Sequence, residues 1–279
     1  MDLSNTTVLI TGSTDGVGRL IATRLAAGRA RVLVHGRSDT KGRETVRDIQ
    51  RLAPQSQVEF YRADLASLDD VRRLADDLTA AHDRLDILIN NAGVGFGPPA
   101  ARREISRDGH ELRFAVNYLA PFLLTHLLLP TLRRSVPARI VNVASIGQAA
   151  IDFDDVMLTR HYDGQHAYGQ SKLALIMFTF DLAAILQGTG VTANAVHPAT
   201  LMNTKMVSEA GFRPRSTVEE GADAILHLAT SSTLEGVSGR FFEGQRETRV
   251  HAAAYDTRAR QQLRTLALEL TGQSADVTR

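Results

Sequence analysis

No cysteine occurs among the 279 residues, which excludes disulfides, thiolate metal sites and a cysteine nucleophile together. Any chemistry must come from other side chains or from a cofactor. An excess of either charge is missing too. Lys and Arg number 32 against 31 Asp and Glu, with no large basic block, so nothing marks a nucleic-acid or acidic-membrane partner. Long apolar runs are also absent. The longest, Tyr118 to Leu132, is interrupted by Pro121, His126 and Pro130; it is expected to be too short to span a bilayer and reads as a core helix. Met1 to Thr7 lacks the charged-then-apolar pattern of a secretory signal, and the expected localisation is cytoplasmic. There is no internal repeat, low-complexity tract or heptad array, and no Pro-, Gly- or Ser-rich linker divides the chain.

The rest of the composition is that of a soluble globular protein: 43% hydrophobic and 23% charged, with mean hydropathy −0.12. One domain over residues 1–279 is the expectation at this length. Thr7-Val8-Leu9-Ile10 reads as a short strand ending in a glycine turn, and Gly16 to Ala27 carries an apolar helical pattern. Strands at Val32 to Val34, Val58 to Arg62 and Leu85 to Asn90 alternate with helices at Asp39 to Ala53 and Leu68 to His82. A long helix near Leu112 to Arg134 leads to strand Arg139 to Val143. A helix from about Tyr168 to Gly188, strand Val191 to Val196, helix Val218 to Thr230, a strand near Arg240 to Phe242 and a terminal helix near Thr257 to Leu270 follow. Strands apolar on both faces, alternating with helices, predict an α/β doubly wound domain with about seven parallel strands covered by helices on both faces. Two stretches break the rhythm, 146–167 and 199–217, and these are the expected substrate loops.

The first turn, Thr11-Gly12-Ser13-Thr14-Asp15-Gly16-Val17-Gly18, lies between a buried strand and a helix N-terminus. Its three glycines allow a tight turn and let backbone N–H groups and the helix dipole approach a pyrophosphate, so Gly12 through Gly18 form the expected dinucleotide cradle of a Rossmann-type fold. Farther on, Tyr168 and Lys172 stand at i and i+4, so on a helix the phenol and the ammonium emerge from one face. A hydride arriving at a carbonyl carbon builds negative charge on the oxygen, which calls for donors at that oxygen and one proton to deliver. Tyr168 can protonate and Ser145 can donate. A free Tyr has a pKa of about 10, and an adjacent ammonium favours the phenolate and lowers it.

The spacing Gly-x-x-x-Gly-x-Gly, with Tyr168-x-x-x-Lys172, resembles that of the short-chain dehydrogenases/reductases of the classical group. The resemblance runs over roughly residues 5 to 245. By it, Asp64 and Leu65 contact the adenine, and Asn90-Asn91-Ala92-Gly93 supports the sheet beside the cofactor ribose. It also makes Asn117, Ser145, Tyr168 and Lys172 the catalytic tetrad, with Lys172 also on the ribose hydroxyls and Asn117 holding a water that links Lys172 to solvent. Pro198 and a nearby Thr belong to the nicotinamide end. Here the Thr position carries Asn203 with Thr204 next to it, and either could serve. Pro198-Ala199 replaces the family's Pro-Gly, so that turn is expected to differ slightly. No metal is required. No acid ends the second strand and Arg37 follows it, which favours NADP(H) over NAD(H), since an Arg pairs with a 2′-phosphate. A solvent-facing Arg37 and the nearby Asp15 are the counterarguments.

Asp108 to Leu112, Val116 to Thr125 and Gln187 to Pro198 are similar to the retinol-dehydrogenase-like branch, as is Ile151 to Asp155. That branch implies an oxidoreductase (EC 1.1.1.-) acting between NADP(H) and a carbonyl or alcohol on a lipophilic small molecule. The loop Asn203 to Pro214, with Met206, Val207 and Phe212, is expected to supply an apolar lid. His161 and His166 lie in the long approach to Tyr168 and read as loop histidines rather than metal ligands. The competing readings are a catalytically silent cofactor-sensing or scaffold protein and an isomerase or lyase using the same tetrad. Apolar surplus on the helices of Asn117 and Tyr168 suggests a homodimer or homotetramer through that face.

Overall fold

In the computed structural model, which describes residues 3–98 and 101–274, eight strands form one sheet in the order β3-β2-β1-β4-β5-β6-β7-β8. They are β1 (Thr7–Ile10), β2 (Arg31–Gly36), β3 (Gln57–Arg62), β4 (Ile87–Asn90), β5 (Ala138–Val143), β6 (Val191–His197), β7 (Phe241–Glu243) and β8 (Arg246–Glu247). Seven run parallel, as expected. The eighth, a two-residue strand paired antiparallel with β7, is the addition to the sequence reading.

Alternation along each strand makes the two faces. In β1, Val8 and Ile10 belong to one core layer and Leu9 to the other. The first layer is covered by α1 (Gly16–Ala27), α2 (Asp39–Leu52) and α8 (Val218–Thr230). The second is covered by α3 (Leu68–Ala81), α5 (Ala120–Arg134), α6 (Gly164–Ile185) and α9 (Thr257–Thr271). Serine caps start α2 and α3, where Ser38 and Ser67 accept from the Lys41 and Asp70 N–H groups. From β1 the chain winds outward through β2 and β3, then crosses to β4 on the other side of β1. The crevice between the carboxyl ends of β1 and β4 is the switch point where ligands bind in such sheets.

Three features differ from the sequence reading. The helix at 112–134 is one rod in three parts: α4 (Leu112–Phe114), a π turn (Ala115–Leu119) and α5. By length and composition this rod could cross a membrane, contrary to the expectation for its apolar stretch, and 89% of its most apolar window is buried inside the fold. A short helix, α7 (Lys205–Glu209), forms inside the irregular stretch 199–217. The apolar surplus of α5 and α6 is met within the chain by α9, whose Leu263 and Ala267 join the same core. There Arg260 forms an ion pair with Asp181 at 2.8 Å, and the Tyr118 hydroxyl donates to the Leu263 carbonyl at 3.5 Å. The homodimer or homotetramer expectation loses that support.

Candidate active site

The glycine turn after β1 and the segment after β4 form one backbone cradle. Gly12 and Gly16 hold φ of +65° and +51°, left-handed values that glycine reaches without a Cβ clash. A Cβ on Gly18 would lie 2.3 Å from the Gly12 carbonyl oxygen and 2.6 Å from Asn91 Nδ2, so α1 starts this close to β1 only without a side chain there. Asn91 Nδ2 donates to the Thr11 and Gly12 carbonyls at 2.9 and 3.0 Å. Thr11 Oγ1 accepts from the Asn91 and Ala92 N–H groups, each at 3.0 Å. The first-turn N–H groups of α1 open into this cradle without helical acceptors, and the positive end of the helix dipole joins them. These residues fit a pyrophosphate.

Ser13 is turned away from the cradle, its N–H donating to the His35 carbonyl at 2.9 Å. It is fully buried, and its hydroxyl donates to the Ile10 carbonyl at 2.8 Å and accepts from the His35 N–H at 3.0 Å. Thr14 packs on Gly36, where a Cβ would come 2.7 Å from Thr14 Cγ2, and half-buried Val17 faces Gly221 of α8. His35, which sequence reasoning passed over, lies directly beneath the turn. Its Nδ1 accepts from the Gly12 N–H at 3.1 Å, and burial pushes its pKa down to about 4, so the ring stays a neutral acceptor. A histidine inside the otherwise apolar Val-Leu-Val strand was the available signal.

Around the far end of the cofactor cleft, Arg37 is exposed at the end of β2 and makes no hydrogen bond or ion pair among the described residues. Asp15 caps α1 by accepting from the Gly16 N–H at 2.9 Å and pairs with Lys41 at 3.0 Å. The hydrogen bond from Lys41 holds its carboxyl below the usual value, so the anion that argued against a 2′-phosphate already has a cation beside it. Asp64 turns its carboxylate onto the Ala66 N–H at 3.1 Å, and Leu65 is buried.

The catalytic candidates meet at the carboxyl end of β5. Asp163 caps α6 by accepting from the His166 N–H at 2.7 Å, so α6 begins one turn before Tyr168 and carries Tyr168 and Lys172 in its body. A Cβ on Gly147 would lie 3.4 Å from Ser145 Oγ and 3.9 Å from Tyr168 Cε1; the two residues border one small space. Lys172 is 4% exposed, donates from Nζ to the Val143 carbonyl at 2.8 Å and lies 5.8 Å from the centre of the Tyr168 ring. Burial brings its pKa down to about 8. Enclosure pushes the Tyr168 phenol above its ordinary value, and the hydrogen bond with Ser145 pulls it back. The sequence reading expected Lys172 to lower the phenol. The loss of water around the ring outweighs an ammonium at that distance.

Asn117 sits in the π turn, a helix irregularity common at functional sites. Its side chain is committed to the loop after β4, where Oδ1 accepts from the Val94 N–H at 2.7 Å and Nδ2 donates to the Val94 carbonyl at 3.0 Å and to Ser171 Oγ at 2.9 Å. A Cβ on Gly93 would lie 3.2 Å from Asn117 Oδ1 and 3.4 Å from Lys172 Nζ, so Gly93 lets Asn117 and Lys172 close on one point. Below β4, Asn90 donates to Asn142 at 2.8 Å and Asn142 to Thr179 at 2.8 Å, a buried polar ladder that ties β4, β5 and α6.

After β6, Pro198 is buried. Ala199 keeps an ordinary backbone, and the left-handed residue of this loop is Leu201, with φ +49°. Thr204 meets the glycine turn, its Cγ2 being 3.6 Å from where a Gly16 Cβ would stand, while Asn203 is exposed. Two further features escaped the sequence: Phe96, which contacts Tyr168 edge-on, and the fully buried pair Glu111 and Arg113. The Glu-Leu-Arg run at the start of an apolar helix was their signal. Two hydroxyls at one small space, a cation one turn away and a phosphate cradle across the crevice suit proton delivery to a developing oxyanion.

A family profile for the short chain dehydrogenases matches residues 6–213. Retinol dehydrogenase 12 of Bos taurus is 38% identical over 276 residues, covering 95% of this chain and 86% of its own. Polyprenol dehydrogenase of Homo sapiens is 35% identical over 283 residues, with 95% and 84% covered. Among solved structures, the Pseudomonas aeruginosa RhlG/NADP active-site complex is similar at 28% identity and a TM-score of 0.67, covering 87% of this chain and 95% of that one.

Proposed function

The chain belongs to the short-chain dehydrogenase/reductase family, in its retinol-dehydrogenase-like branch, and is an NAD(P)-dependent oxidoreductase; from that premise we propose that it transfers a hydride between NADP(H) and a carbonyl or alcohol on a lipophilic small molecule, with Tyr168 as general acid and base. The observation that carries this reading is the convergence of Ser145 and Tyr168 on one space, with Lys172 held beside the ring by Val143.

NADPH, when bound, supplies the hydride. The glycine turn and the α1 N-terminus would hold its pyrophosphate, Asn91 to Gly93 and Lys172 its nicotinamide ribose, and Thr204 its amide end. Asp64 and Leu65 would lie at the adenine. Arg37, which has no other partner among the described residues, is free to pair with a 2′-phosphate. Ser145 donates to the substrate oxygen and keeps it beside the Tyr168 hydroxyl. As negative charge builds on that oxygen, Tyr168 gives up its proton, and the ammonium of Lys172 stabilises the phenolate that results. Asn117 positions the Val94 backbone next to this centre. In the alcohol-oxidising direction the same proton travels back to Tyr168.

The lipophilic substrate class draws support from the names of the similar retinol and polyprenol dehydrogenases and from the apolar side chains Met206 and Phe212 around the mouth, 36% and 41% exposed. The test is NADPH oxidation at 340 nm across a panel of aldehydes and ketones. Tyr168→Phe is expected to lower turnover about 10²- to 10⁴-fold while NADPH still binds. Undiminished turnover in that variant removes Tyr168 as the acid.

A further inference from the structure

Phe96 stands between Gly95 and Gly97 on the loop that leaves β4. Its ring meets the Tyr168 ring edge-on, with centroids 5.3 Å apart and planes at 88°. On its other side it meets Phe212, again at 88°, with centroids 5.4 Å apart. Three rings from three separate segments therefore form a row that ends at the proposed proton donor. Met206 of α7 extends this apolar border, since a Cβ on Gly95 would come 2.6 Å from its Cγ.

The backbone under Phe96 is locked. Arg113, 1% exposed, donates from Nε to the Gly95 carbonyl at 2.9 Å. Its Nη1 lies 3.4 Å from Glu111 Oε1, and that carboxylate also accepts from the Phe114 N–H at 2.8 Å. Tyr162, from the long approach to Tyr168, donates to the same carboxylate at 3.4 Å, and the Arg113 guanidinium sits 5.8 Å over its ring. On the opposite side the Phe96 carbonyl presses on the start of α6, where a Cβ on Gly164 would lie 2.3 Å from it. The Arg113 bond and the close approach at Gly164 hold the backbone on both sides of Phe96, and the contacts with Tyr168 and Phe212 hold its ring.

Edge-on rings at this spacing are already in contact and leave no room for a ligand between Phe96 and Tyr168. A carbonyl compound that reaches the Tyr168 hydroxyl therefore passes outside that ring contact, with its remaining atoms along the Phe96 and Phe212 rings. An unbranched chain can lie there, whereas a branch next to the carbonyl would meet the Phe96 edge. We propose that Phe96 is a specificity-determining residue of this site, a fixed aromatic wall that, with Phe212, selects carbonyl compounds bearing an extended unbranched apolar chain. This rests on the reading of Tyr168 as proton donor.

The test uses two isomers of one composition, octanal and 2-ethylhexanal, with NADPH and the full chain. The wild-type protein is expected to favour octanal in kcat/KM, and Phe96→Ala to shrink the ratio between the isomers by about tenfold or more, the scale of one lost apolar contact. Phe96→Leu, which keeps apolar bulk, is expected to retain most of the ratio, and its thermal midpoint reports folding. A ratio unmoved in Phe96→Ala, with octanal still reduced, overturns the wall and leaves the hydride-transfer reading standing. If the wild-type protein reduces neither isomer and no other carbonyl in the panel, both readings fall.

Discussion

Lys172 Nζ donates to the Val143 carbonyl at 2.8 Å, two residues before Ser145, so the strand that presents the hydroxyl also anchors the cation. Burial there sets the lysine pKa at about 8, while the Tyr168 phenol lies above its ordinary value. Below that pH Lys172 is charged and, in the proposed mechanism, stabilises the phenolate formed during reduction; above it the charge is lost before Tyr168 itself titrates. Reductive kcat/KM is expected to be level below pH 8 and to fall above it. Lys172→Arg, which does not titrate in this range, is expected to shift the falling limb upward. A pH profile from 6 to 10 checks both, and a limb that stays near 8 in Lys172→Arg assigns it to another group.

Arg37 governs the second prediction. A charge-assisted bond to a phosphate contributes roughly 1.5–3 kcal/mol, so Arg37→Ala is expected to weaken NADP⁺ binding about 10- to 100-fold. NAD⁺ binding should stay within about twofold, since it lacks the phosphate that Arg37 would meet. Titration calorimetry with both nucleotides decides the point, and equal losses for the two would assign Arg37 a merely structural role.

His35 governs the third. Its folded pKa is depressed from 6.5 to about 4 by burial, and a protonated Nδ1 cannot accept from the Gly12 N–H. Between those values the unfolded chain binds more protons than the folded one, so this contribution to stability is complete above pH 6.5 and is lost as pH falls towards 4. The window is worth about 3 kcal/mol. Urea unfolding at pH 7 and pH 4.5 is expected to show a smaller acid loss in His35→Asn than in the wild type. An equal loss in both would place the acid sensitivity elsewhere.

Much of this molecule could be read from local signals. Helices α1 and α8 run over Gly16–Ala27 and Val218–Thr230, the ranges that the apolar pattern predicts, because such patterns depend on neighbours in sequence. Tyr168 and Lys172 could be picked out for the same reason, as a spacing, whereas the tetrad places of Ser145 and Asn117 came from the family resemblance. What was not legible depends on contacts distant in sequence. The apolar surplus of α5 and α6 looks the same whether α9 or a second subunit covers it. The direction of the Tyr168 shift depends on how much water the fold removes from the ring, which no i, i+4 spacing states. Phe96, flanked by glycines, carries no periodicity at all, and its meaning appears only when β4 and α6 bring it against Tyr168. Ser13 belonged to the expected cradle, yet its hydroxyl turns inward to β2.

The π turn at Ala115–Leu119 has a consequence of phase. A π turn holds one residue more than α-helical winding requires, and one residue is about 100° of rotation. The rod from Leu112 to Arg134 can therefore present one orientation before the turn and another after it. Leu124 and Leu128 stay in the core beneath the sheet, while Arg113 reaches out to the Gly95 carbonyl. A straight helix that kept the first arrangement would swing Arg113 away from the second. The irregularity beside Asn117 is thus what lets a single core helix also hold the Gly95 backbone next to Phe96.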